Sequence, residues 1–123
     1  YIMDMGLYTE NSISISDNMG RRLENLIFLH LRRKYKHIFY YKDKGECDFI
    51  TMEKNTVKEA IQVCLTINDE NFDREFNGLL GAMQNLGLKE GYIVTLNQSD
   101  LFEKEDMTIK MLPVHDFFEI IVL

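Results

Sequence analysis

The sequence has little of what would mark a secreted, fibrous or membrane-embedded chain. Its 123 residues hold two cysteines, Cys47 and Cys64, with no metal-ligand spacing and too few for a disulfide framework. Free thiols in a reducing cytoplasm are the expected state. One proline and seven glycines exclude a low-complexity chain. No run approaches the roughly 20 apolar residues that cross a bilayer, so no membrane partner is expected. No charged-then-apolar leader opens the sequence. The three histidines, His30, His37 and His115, show no ligand pairing. No glycine-rich phosphate loop is present, and Ser12, Ser14 and Ser16 lack a nucleophile-elbow context. Positive charge is also scarce overall: the net charge of −6 weighs against a general nucleic-acid binder.

What is there is ordinary core material. Hydrophobic residues make up 46% and charged residues 28%, with eight Phe and six Tyr, enough for one domain's core. We expect a single domain over 1–123. Its first residue, Tyr1 rather than Met, reads as a fragment or processed product of a larger protein. The charge is uneven. Arg21, Arg22, Arg32, Arg33, Lys34, Lys36, Lys42 and Lys44 crowd one stretch, whereas acids gather in 69–75, 100–106 and 116–119.

Periodicity predicts a short strand over 1–7 and a helix from Asp17 or Asn18 to about Tyr35. Three strands follow over 37–42, 46–52 and 57–66, separated by turn sequences at 43–45 and 53–55. A second helix spans about 70–86, capped by Asn68 or Asp69 and ended by Gly87. Strands at 91–96 and 107–112 precede a short helix at 114–121 that starts after Pro113. This order predicts an α/β fold, one mixed central sheet flanked by helices, with a parallel pair joined across 57–96. Ile27, Phe28, Leu31, Ile61, Val63, Phe76, Leu80 and Ile93 should form the core.

Two acids stand out. On a helical wheel Glu24 falls within about 60° of Ile27, Phe28, Leu31 and Tyr35, inside the apolar arc rather than on the face of Arg21, Arg22, Asn25 and Arg32. A carboxylate there is either a core-edge residue bonded to an amide or an Arg, or part of a site. Asp48 shares a face with Ile50 and Met52 if its strand is regular; it is either an edge or bulge residue facing solvent, or a site acid. The strand at 57–66 places Val57, Glu59, Ile61, Val63 and Leu65 on one face. Lys58, Ala60, Gln62, Cys64 and Thr66 take the other, which turns polar where a sheet would open onto a site.

A helical Glu, a strand Asp and a strand with two inward polar positions two apart resemble the ground plan of the PD-(D/E)xK, or restriction-endonuclease-like, fold. The segments YIMDMGL, GRRLENLIFLHLRR, YYKDKGECDFI, EAIQVCLTI and LGLKEGYIVTL occur in the order found in the uncharacterised C-terminal domain of bacterial and archaeal AAA-type ATPases. In active nucleases of this fold an Asp and a Glu bind a divalent metal and a Lys two residues on helps to activate water. The resemblance maps these roles onto Glu24, Asp48, Gln62 and Cys64. Gln62 thus stands where an active enzyme has Glu, and Cys64 where it has Lys. An amide binds a hard dication more weakly than a carboxylate, and a thiol lacks the fixed positive charge. Glu24 and Asp48 alone could hold Mg²⁺ only loosely. Lys58 lies about 13 Å from Gln62 along the strand at ~3.3 Å per residue, so it is a poor substitute. Lys42, Lys44 and Arg74 are the other cations that could move into the site.

The resemblance implies a catalytically degenerate module for interaction or regulation, partnered by the ATPase module of its own parent chain, where ATP would bind. A nucleic-acid-binding module using Arg21, Arg22, Arg32, Arg33 and Lys34 is the second reading, set against a merely solvated basic helix face. An active metal-dependent nuclease with a rearranged site is the third. Oligomeric state is not readable from the residues.

Overall fold

A computed structural model describes residues 15–43 and 45–120. The predicted strand over 1–7, the segment 8–14 and Lys44 lie outside the described residues. Helix α1 (Ile15–Lys34) buries Leu23, Ile27 and Leu31, spaced four apart and continued by Tyr35 just beyond its end. Arg32, Arg33 and Lys34 fill its last turn, where cations meet the negative end of the helix dipole. Three strands follow: β1 (His37–Lys42), β2 (Glu46–Glu53) and β3 (Thr56–Val63). Lys54 and Asn55 both adopt left-handed backbone angles, φ 53° and 67°, as a tight β2–β3 hairpin turn requires.

Helix α2 (Phe72–Leu86) starts two residues later than periodicity predicts. Asn68 does not cap it directly. Its Oδ1 accepts from the N–H groups of Glu70 and Asn71, forming a turn that delays the helix. Gly87 ends α2 in the left-handed region at φ 73°, as expected. Then come β4 (Glu90–Thr95), β5 (Asp100–Lys104), β6 (Met107–Pro113) and α3 (Val114–Ile120).

Over the described residues the fold is α/β: a six-stranded mixed sheet in the order β1-β2-β3-β4-β6-β5, flanked by three helices. β1, β2 and β3 form an antiparallel meander, and β3 pairs parallel with β4 across α2, as the 57–96 unit predicts. β4 and β6 are parallel, and β5 is an antiparallel edge strand on β6. Sequence reasoning missed β5. Its acidic, solvent-facing composition gives no apolar alternation, and its place at an edge makes none necessary.

Two cores sandwich the sheet. Leu23, Ile27, Leu31, Phe49, Ile61, Val63 and Phe117 fill the α1/α3 side, whereas Cys47, Ile50, Ala60, Leu79, Met83 and Ile93 fill the α2 side. Of the eight expected core residues, Phe28 and Phe76 are only half-buried; the other six are buried. Asn25, expected on the polar face of α1, is buried.

Two irregularities reset side-chain parity. Phe39 pairs with Ile50 and Tyr41 with Cys47, so β2 carries one extra residue there, a β-bulge. Cys47 and Ile50 consequently face α2 while Phe49 faces α1. The expectation that Asp48 shares a regular face with Ile50 and Met52 is thereby corrected. A second shift, where Thr51 pairs with Glu59 and Met52 with Val57, turns Val57 toward the α2 core, away from Ile61 and Val63.

Candidate functional site

The bulge sits where the β2–β3 ladder runs out. Backbone pairing ends at Phe49 with Ile61. Side chains make the next step. The Asp48 N–H donates to Gln62 Oε1 at 3.0 Å, and the Val63 N–H donates to Asp48 Oδ2 at 2.8 Å. Gln62 also donates through Nε2 to the carbonyls of Glu46 at 2.8 Å and Glu75 at 3.1 Å. One buried amide therefore ties β3 to β2 and to the first turn of α2. All four bonds satisfy groups that would otherwise be stranded at low exposure.

Helix α2 approaches this corner at backbone distance. A Cβ on Gly45 would lie 2.9 Å from Gly78 Cα, and a Cβ on Gly78 would overlap the Glu46 carbonyl oxygen. Both positions need glycine for close packing. The approach leaves a cleft of about 490 Å³ lined by Glu46, Asp48, Gln62, Asp73, Arg74 and Glu75. A second cleft adjoins it, sharing Arg74 and Glu75 and bounded by Arg21, Glu24, Cys64 and Asn71.

Acids dominate the first cleft, whereas in the second Glu24 and Glu75 are matched by Arg21 and Arg74. Burial pushes the Asp48 carboxyl up to about 7, against the Val63 N–H, which favours the ionised form. Glu24, Glu75 and Glu46 each push it further up by like-charge repulsion. Glu75 is also raised, first by burial, with the adjacent Arg74 opposing and Glu46 and Glu24 reinforcing. Its Oε2 lies 3.1 Å from Arg74 Nε. Cys64 lies just past the end of β3, its thiol pushed up by burial and then by Glu75. Its Sγ donates to the Thr66 carbonyl at 3.3 Å and accepts from Asn71 Nδ2 at 3.5 Å, bonds that suit a neutral thiol. Cys47 is a buried free thiol pushed up to about 12 by burial.

Glu24, Asp48 and Gln62 thus border one pair of contiguous clefts, with Cys64 in the second. Glu46 and Glu75 escaped sequence reasoning, whereas Arg74, one of the cations considered for the site, lines both clefts. Glu75 was findable: it precedes Leu79 by four residues and so lies on the buried arc of α2, by the same wheel that singles out Glu24. The four arginines do not form one cluster. Arg21 borders the Cys64 cleft, while Arg32 and Arg33 lie about 17 Å farther along α1 at 1.5 Å per residue. All four are exposed, and Arg32 Nη1 donates to the Lys36 carbonyl at 3.2 Å.

Among the described residues, no three His, Cys, Asp or Glu side chains are placed to hold a metal ion. The one oxygen of the Gln62 amide already accepts from Asp48, and Asp48 Oδ2 already accepts from Val63. No described helix is long and apolar enough to cross a membrane.

No family model matches the chain. An uncharacterised protein of Methanocaldococcus jannaschii is 40% identical over 99 residues, which is 76% of this chain and 22% of that protein. The chain therefore spans about a fifth of the length of the curated relative it matches.

Proposed function

We propose that this chain is a catalytically silent domain of the PD-(D/E)xK, restriction-endonuclease-like fold, serving as an interaction or regulatory module of a cytoplasmic AAA-type ATPase. The observation that carries the reading is the Gln62 bracket. The residue at the metal-binding Glu position spends its oxygen on Asp48 and its amide hydrogens on two backbone carbonyls. A carboxylate there would face those two carbonyls without a proton to offer. Cys64, at the Lys position, supplies no positive charge and is bonded to Thr66 and Asn71. The order helix Glu24, bulge Asp48, strand Gln62 supports the fold reading. The greater length of the archaeal relative supports a larger parent chain, whose ATPase module would be the partner and hold the ATP.

The second reading, nucleic-acid binding, draws on the exposure of Arg21, Arg22, Arg32 and Arg33. The test of the main reading is incubation of the purified chain with labelled duplex and single-stranded DNA under titrated Mg²⁺ or Mn²⁺. No cleavage is expected. Cutting that disappears in an Asp48→Ala control would overturn the silent-module reading and install a nuclease with a rearranged site. Salt-dependent DNA binding without cutting, lost on replacing the four arginines, would favour the second reading.

A further inference from the structure

The opposite end of β2 carries different chemistry. From Asp48 to Glu53 is about 17 Å along the strand. There the C-terminus of α1 meets the β2–β3 hairpin and encloses a cleft of about 270 Å³ lined by Lys34, Tyr35, Lys36, His37, Glu53 and Lys54. Three ammonium groups and an imidazole surround it in a chain of net charge −6. Glu59 lies close enough to Lys34 to feel its charge, and Glu53 offsets one more. Among the described residues, no carboxylate forms an ion pair with Lys36 or Lys54. The cleft therefore keeps a positive excess.

Lys54 holds its place in the left-handed region, φ 53°, where glycine or asparagine would sit with less strain. Its ammonium stands at the rim of the cleft. A second opening of about 290 Å³ shares His37 with the first and is bounded by Phe39 and Asn55. Phe39 is 49% exposed, and its ring lies nearly parallel to His37, 6° apart in plane with centroids at 6.3 Å. It stands on β1, an edge strand. A basic cleft beside an exposed aromatic ring is the pairing that holds a nucleotide: cations take the phosphate and the ring stacks the base. The Asn55 amide, beside the same opening, can donate to or accept from a base edge.

We propose that this surface binds a nucleotide unit, its phosphate between Lys34, Lys36 and Lys54 and its base on Phe39. The site shares no residue with the Glu24–Asp48–Gln62 cleft and holds whether or not that cleft is silent. The test is titration of the chain with a fluorescent single-stranded oligoadenylate and, separately, with adenosine monophosphate, following anisotropy and amide shifts. Saturable binding that weakens with salt is expected, with shifts centred on residues 34–39 and 52–55. Phe39→Ala should weaken it about tenfold and Phe39→Trp should preserve it. A Lys36→Ala, Lys54→Ala double variant should weaken it by a similar factor. Both positions are exposed, so the fold should survive. Tighter binding of the oligonucleotide would assign the site to single-stranded chains, and equal or tighter binding of the monophosphate to free nucleotides; either upholds the proposal. Absence of saturable binding by both probes would overturn it, as would binding that ignores these variants.

Discussion

The two ends of β2 are built on opposite terms. At the Glu46–Asp48 end, acids from α1, β2 and α2 converge, and the polar groups of Asp48 and Gln62 are engaged with backbone. At the Glu53–Lys54 end, cations ring an open cleft beside an exposed aromatic; Lys34 Nζ lies over the Tyr35 ring, 5.3 Å from its centroid, and the side chains of Lys36 and Lys54 are left to solvent. A polar residue bonded to backbone is part of the fold; one exposed at a cleft rim is available to a ligand. The end that resembles a catalytic site is thus the more structural of the two.

The sharpest way to break this contrast is at the corner where α2 meets β2. Gly78→Ala places a Cβ onto the Glu46 carbonyl, backbone against backbone, with no flexible side chain to yield. We expect a loss of about 3 kcal/mol in chemical denaturation. An alanine tolerated without loss would mean that α2 is not clamped there. Gln62→Glu comes next. It removes the donors from two part-buried carbonyls and faces them with an acid, a loss of roughly 2–3 kcal/mol. The loss should shrink in acid, where the new carboxyl can carry a proton. Restoring the nuclease-like residue should therefore weaken the domain rather than repair it, and a variant as stable as the wild type would contradict the bracket.

Asp48 gives a pH signature. Its folded-state value, about 7, is above the unfolded value near 4. The folded chain therefore holds this proton more tightly than the unfolded one. Asp48's contribution favours folding most below about pH 4, declines as pH climbs to about 7, and is flat above. The full swing is at most roughly 4 kcal/mol. Asp48→Asn retains an oxygen for the Val63 N–H and removes the charge. It should raise stability above pH 7 by about 1–3 kcal/mol and flatten the profile. Thermal melts of both proteins across that range check this; parallel profiles would show that Asp48 is not the titrating group.

How much of this was legible follows from those residues. Glu24 and Asp48 were visible because an acid inside an apolar pattern violates local expectation. Strand order made Asp48 and Gln62 neighbours, and they line one cleft, while Glu24, on α1, lines the adjoining one. The bulge at Asp48 was not legible: one extra residue in β2 leaves composition unchanged and shows only as a break in pairing. The bonding of Gln62 to Glu46 and Glu75 was hidden for a related reason, since it depends on how closely α2 approaches, and Gly45 and Gly78 read in sequence only as a turn glycine and a weak helix former. At the basic end, the crowd of lysines was plain, but Lys54 joins it only through the hairpin fold-back.

The smallest expected stability effect lies at that end. Lys54→Gly relieves a left-handed non-glycine residue at the price of more unfolded-chain entropy, so stability should change by less than about 1 kcal/mol. Nucleotide binding should nevertheless weaken. A large stability loss would place Lys54 in the fold and undo the contrast between the two ends.

The most direct test of the central claim is the side-chain amide of Gln62. Buried and donating to two carbonyls, its hydrogens should exchange with solvent far more slowly than those of an exposed amide such as Gln84, and millimolar Mg²⁺ should leave their NMR signals unmoved. Rapid exchange, or a saturable shift of these signals with Mg²⁺, would show that the amide is released to a metal and would contradict the account.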